Sequence, residues 1–179
     1  MTLDQYIKVV NIFESEGEDL DKWVQTIDYL EDVDSRSIPL SKFNRFVQQY
    51  TNELDIENLE AQELSTVEHN GEQYKVDTTI FTANVALFAD YNIIVKRYKG
   101  VEQMKQILAL LVYKEGEPDD YSYDRVQLNL QRIGDFELPK AISIVRFFFL
   151  LLKHYTDLSQ ISLVNQEMNQ MITKHILEP

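Results

Sequence analysis

The sequence holds three histidines, thirty carboxylic acids and no cysteine, and these bound the chemistry open to this chain. Without cysteine there are no disulfides, thiolate metal sites or Cys nucleophiles, which suits a cytosolic life or a particle assembled there. His69 precedes the Asn70-Gly71 dipeptide, while His154 and His175 fall near the ends of expected helices, where a cation suits the helix dipole. None stands in a His-Glu-x-x-His context. A Ser-His-Asp triad would also need a serine on a strand-turn-helix elbow, and no such elbow is present. The five glycines, Gly17, Gly71, Gly100, Gly116 and Gly134, fall at expected turns or helix ends. None belongs to a GxxxxGK[ST] or GxGxxG phosphate loop, which argues against a nucleotide site.

The stretch Asp32-Val33-Asp34-Ser35-Arg36-Ser37 begins like a calcium loop. Its fifth position is Arg36, its sixth lacks glycine, and its twelfth is Phe43 where a glutamate is required. The expectation is therefore no catalytic residue, no cofactor and no metal ligand. A carboxylate hydrolase stays open as a minor reading, and it would need a cleft in which two acids face each other.

The carboxylates point more directly to recognition. Thirty acids against 17 bases give a net charge of −13. Residues 1–68 carry 16 acids and 5 bases, net −11, whereas residues 69–179 carry 14 and 12, net −2. Such a field repels nucleic acid and anionic lipid. Solvated helix faces account for an acidic surface of this kind in many proteins. The sharper reading makes Glu14, Glu16, Glu18, Asp19 and Asp21 a surface that docks a basic partner.

The elements that would position these groups are mostly helical. Thr2 and Gln5 are spaced as a capping box ahead of Leu3, Tyr6, Ile7, Val10 and Phe13, and a second helix carries Leu20, Trp23, Val24, Ile27 and Leu30. These two read as an antiparallel pair, with Asp19 as the second cap. Pro39 at a first helical position opens a third helix through Leu54. Asn70-Gly71 is the strongest short hairpin signal, pairing His69 with Glu72, Val67 with Tyr74 and Ser65 with Val76. Val67, Tyr74 and Val76 then share one apolar face, which must rest on a helix or on a partner protein.

Helical spacing resumes from Thr78 or Thr79 to Gly100, again through Met104 to Leu111, and in a short helix from about Asp124 to Ile133. Pro139 opens the most apolar helix, and a last one carries Leu158, Ile161, Val164, Met168, Met171 and Ile172. The apolar run Ala141 to Leu152 rises only about 18 Å as a helix, short of the roughly 30 Å hydrocarbon core, so no membrane partner is expected. The N-terminus lacks the basic start and apolar run of a signal peptide.

The fold class expected is mainly α, a single compact bundle of about eight helices with one β-hairpin insertion near residues 63–78. Its single domain, 1–179, divides into an acidic three-helix part (1–60), the hairpin (63–78) and a more apolar helical core (79–179).

The opening Thr2-Leu3-Asp4-Gln5-Tyr6-Ile7 helix, the acidic second helix with Trp23 and the Ile38-Pro39-Leu40 entry form a pattern of landmarks. With Ile107-Leu108-Ala109-Leu110-Leu111-Val112-Tyr113 before an acidic Pro/Tyr loop, and Arg146-Phe147-Phe148-Phe149, it resembles the tail-assembly chaperones and related small tail, baseplate or virion components of tailed bacteriophages. The resemblance implies a non-enzymatic assembly or structural role in the host cytoplasm or the virion, with phage tail, portal or capsid proteins as partners and homo-oligomers allowed. It transfers no catalytic residue. The candidate partner-binding residues are Glu14, Glu16, Glu18, Asp19, Asp21, Val67, Tyr74 and Val76. The alternative is an acidic binding module, such as a DNA-mimic inhibitor of a nucleic-acid enzyme.

Overall fold

A computed structural model describes residues 1–55, 64–77, 85–117 and 121–154. Among these the chain is mainly helical. It contains α1 (Leu3–Glu14), α2 (Asp19–Glu31), α3 (Leu40–Leu54), α4 (Val85–Arg97), α5 (Gly100–Leu111), α6 (Tyr123–Arg132) and α7, whose described part is 138–154. Short 3-10 turns at Ser35–Ser37 and Ile133–Asp135 precede α3 and α7. Strands β1 (Thr66–His69), β2 (Glu72–Val76) and β3 (Val112–Lys114) form one antiparallel sheet in that order. The expected helix over Leu158 to Ile172 and the proposed start at Thr78 or Thr79 lie outside the described residues.

Local sequence explains the well-marked boundaries. The Thr2 hydroxyl accepts from the Gln5 N–H at 3.3 Å, and the Thr2 N–H donates to the Gln5 side chain at 2.8 Å, which completes the capping box. Asn70 and Gly71 have φ of 52° and 76°, the left-handed pair that a two-residue hairpin turn needs. The hairpin register is the one expected, His69 opposite Glu72 and Val67 opposite Tyr74, with the Val76 N–H donating to the Ser65 carbonyl at 2.9 Å.

Three features differ from expectation. Glu18 rather than Asp19 is the cap residue of α2, and Pro39, with ψ of 142°, precedes α3 rather than entering it. The hairpin is also not alone. After α5 the chain runs straight into β3, where Val112 pairs with Val76 and Lys114 with Tyr74. Three residues are too few to display an alternating pattern, so β3 has no signature separate from the helix before it.

The larger core cluster gathers α1, the hairpin and α4 through α7, with Leu3, Leu87, Leu108, Leu110, Ile133 and Phe136 almost wholly buried. A smaller cluster of Ile27, Phe46 and Tyr50 holds α2 to α3, and Met1 packs against both. Leu40 and Phe43 lie beside Leu20 and Val24, and the Tyr50 hydroxyl donates to Glu31, so α3 climbs α2 in the same direction. The intervening loop therefore doubles back along α2. It is pinned there by the Ser35 N–H on the Asp28 carboxylate at 2.6 Å.

The segment after α6 is stitched to the start of the chain. The Leu3 N–H donates to the Phe136 carbonyl at 2.9 Å, and the Leu138 N–H to the Met1 carbonyl at 3.1 Å. Gly134 lies so close to α1 that an added Cβ would overlap the Asp4 carboxylate, which pairs with Lys105 at 2.6 Å. Gly134→Ala is expected to push Asp4 off Lys105 and cost about 1 kcal/mol, by losing an exposed ion pair and a favourable charge on the α1 dipole. Urea denaturation of Gly134→Ala, Asp4→Ala and the double variant checks this, because the double variant should cost little more than Asp4→Ala alone.

Candidate functional site

The expected partner-binding residues separate into two groups. Glu14, Glu16, Glu18, Asp19 and Asp21 are all exposed around the α1–α2 turn. Among the described residues none of the five forms an ion pair. Val67 and Tyr74, by contrast, are buried, and Val76 is half-buried against the same core. The Tyr74 ring meets the Phe136 ring edge-on at 5.1 Å, and His69 lies 4.6 Å from that ring. The apolar face of the hairpin rests on the chain's own segment before α7. That corrects the expectation that Val67 and Tyr74 face a partner, since the side chains needed for docking are already spent in the core.

What stands next to the acids carries no signal in the sequence. Leu20, Asp21 and Val24 of α2 form one wall of an open groove of about 320 Å³, and Arg36, Ile38, Leu40 and Phe43 form the other. Leu20 and Leu40 at its lip are 64% and 73% exposed. A monomer gains nothing by leaving such side chains in water, and large exposed apolar residues gathered in one concave place mark interaction sites more often than isolated ones do. Periodicity places Leu20 on the packed stripe of its helix. It misses that the loop doubles back and starts α3 beside this end of α2, with an open groove between the two.

A second pocket lies among α4, α5 and α6, lined by Ile93, Ile94, Leu110 and Val126 together with Asp90 and Arg97. Its volume of about 80 Å³ is far below the roughly 300–1,000 Å³ of typical ligand clefts. The residues around it are knit together. Tyr121 donates to Asp90, and the largely buried Arg125 guanidinium lies over the rings of Tyr113 at 5.1 Å and Tyr121 at 5.6 Å. This arrangement ties the start of α6 to α4 and β3 through cation–π and hydrogen-bond contacts. Each of the two pockets presents a single carboxylate, so neither supplies the facing pair that hydrolysis requires.

Of the histidines, His69 packs on Phe136, and His154 lies exposed on the last described turn of α7. His175 lies outside the described residues. Among the described residues no three His, Asp or Glu side chains gather as a metal cluster, and no helix is long and apolar enough to cross a membrane.

Tyrosine ionisation is suppressed at several places. Desolvation raises the phenols of Tyr50 and Tyr121 well above the usual 10.0, reinforced by their hydrogen bonds to Glu31 and Asp90, and burial raises Tyr6 and Tyr91. A phenol whose pKa is raised on folding stabilises fully below the unfolded value and loses that contribution as pH climbs through the folded one. Stability should therefore fall as pH rises above about 10, the unfolded tyrosine value. Tyr50→Phe/Tyr121→Phe should show a shallower decline in a pH series of thermal melts. Equal slopes would remove these two phenols as the cause.

The fold is thus a mainly helical assembly around a small antiparallel sheet, and the conspicuous surface feature among the described residues is an apolar groove beside unpaired acids. Comparison with family models, with curated proteins and with solved structures finds no match to this chain.

Proposed function

We propose that this protein is a non-enzymatic, protein-binding assembly or structural component of a tailed bacteriophage, acting as a tail-assembly chaperone or a virion subunit. The observation that carries the binding role is the groove between α2 and α3, with Leu20 and Leu40 exposed at its lip next to five unpaired acids. The landmark pattern of the sequence supports the phage setting. In this reading the protein works in the host cytoplasm and in particles assembled there. Its net charge of −13 keeps it soluble while its apolar groove stays open.

Co-purification of the full chain from phage-infected cells, at low and high salt, tests the proposal. A stoichiometric tail, portal or capsid partner retained at high salt is the expected result, because apolar contacts are not screened. Recovery without any particle component would sink the assembly role.

The exposed acids around the α1–α2 turn favour one other reading, a module that imitates the charge of DNA towards a nucleic-acid enzyme. That reading predicts partners lost at high salt and lost again when Glu14, Glu16, Glu18, Asp19 and Asp21 are neutralised.

A further inference from the structure

The two walls of the groove differ in charge. Helix α2 (Asp19–Glu31), which supplies one wall, holds four acids and one lysine, and of these acids Asp21 lines the groove. Residues 35–43, which supply the other wall, hold Arg36 and Lys42 and no acid, with the Asp34 carboxylate accepting the Arg36 N–H just before them. Asp21 and Arg36 both line the groove, and among the described residues neither forms an ion pair. Between them lie Val24, Ile38 and Phe43. The far wall is fixed in place, since Ser35 bonds to both the Asp28 carboxylate and the Val24 carbonyl.

We propose that this groove takes one amphipathic helix of a partner protein, with an apolar stripe seated between Leu20 and Leu40, lysines or arginines on the flank facing α2, and no cation on the flank facing Arg36. The inference rests on the assembly reading above and adds the chemistry and orientation of the partner. A helix fits because the groove is open and apolar between α2 and the loop that enters α3, the setting in which anchors at i, i+3 or i+4 and i+7 dock. The charge difference between the walls sets direction. A helix laid in the reverse sense would bring its basic flank to Arg36 and leave Asp21 unanswered, so the groove discriminates by repulsion as well as attraction.

The test uses the full chain and two synthetic helical peptides with the same Leu/Phe stripe and glutamine on one flank. One peptide carries lysine on the other flank, and the second carries glutamine there as well, because a glutamate flank could reverse and meet Arg36. Methyl NMR shifts and fluorescence anisotropy should show the lysine peptide binding about tenfold more tightly and perturbing Leu20 and Leu40. Leu20→Asp/Leu40→Asp should weaken it by about tenfold or more while leaving circular dichroism unchanged, because both positions are exposed. Equal binding of the two peptides, shifts confined to other surfaces, or an unchanged affinity in the double variant overturns the proposal. Particle components that co-purify equally with the wild type and the double variant also overturn the groove while leaving the assembly role standing. Absence of any particle partner, with the lysine peptide still seated between Leu20 and Leu40, removes the phage role and keeps the groove.

Discussion

Phe136→Ala is expected to lower folding stability by about 3–5 kcal/mol, the range for emptying a fully buried aromatic site. Each kcal/mol moves the midpoint by roughly 2–4 °C in a chain of this size, so the melting temperature should drop by about 6–20 °C. The ring has no exposure and takes the Tyr74 ring edge-on at 5.1 Å, with His69 at 4.6 Å on the same residue. Its backbone also matters, because the Phe136 carbonyl receives the Leu3 N–H and its own N–H donates to Ile133. One residue therefore joins the sheet, the first helix and the turn before α7. Truncation keeps the backbone bonds but removes the surface on which the hairpin lies. A hairpin without such a surface is marginal in water, so amides of β1 and β2 should lose hydrogen-exchange protection before those of α5. Phe136→Leu, which keeps most of the volume, should cost less than half as much. A loss below about 1 kcal/mol in Phe136→Ala would mean that the sheet is anchored elsewhere.

The contrast between the hairpin and Phe136 shows what could be read in advance. Asn70-Gly71 and the alternation around it specify a turn type and a register, both local properties, and the structure has both. The capping box at Thr2 is equally local. Which surface receives Val67 and Tyr74 is not local. It depends on a distant segment of the chain, whose Phe136 sits in a short turn without periodicity. The same limit governs the candidate site. The acids of the α1–α2 turn stand out in composition, and their exposure follows from charge. The groove beside them exists because the 32–39 loop folds back along α2 and sets α3 running in the same direction, a choice made by Ser35, Asp28 and the aromatic contacts of Phe46 and Tyr50. No hydrophobic pattern encodes that return. β3 is hidden for a related reason, since Val112 and Tyr113 continue an apolar helical run and become strand only where Tyr74 and Val76 offer a ladder.

Asn129→Asp should be as damaging as emptying the Phe136 site, for an electrostatic reason. Asn129 is fully buried on α6, and its side-chain NH₂ donates to the Ala109 carbonyl at 3.0 Å and to the Val112 carbonyl. Those acceptors lie where α5 ends and β3 begins, and the last carbonyls of a helix have no partner within it. Asn129 thus closes the helix-to-strand junction that lets α5 feed the sheet. Replacing the amide by a carboxylate removes both donors and sets a negative charge against two carbonyl oxygens, away from water. Leaving a buried charge uncompensated costs about 3–5 kcal/mol, whereas Asn129→Ala should cost about 2–3 kcal/mol for the orphaned carbonyls.

The two variants separate by pH. Burial must raise the pKa of the introduced acid above its unfolded value of about 3.9, so the folded state holds a proton that the unfolded state releases. The extra deficit of Asn129→Asp should then be small at or below that pH and grow as pH rises, while Asn129→Ala keeps a constant deficit relative to wild type. Guanidinium denaturation from about pH 3.5 to 8, a range that brackets the unfolded carboxyl value from below, checks both. A pH-independent difference between the variants would place the introduced carboxylate in water, with the α5–β3 junction rearranged around it. The junction as built predicts the opposite, because Asn129 on α6 holds the Ala109 and Val112 carbonyls where α5 passes into β3, away from water.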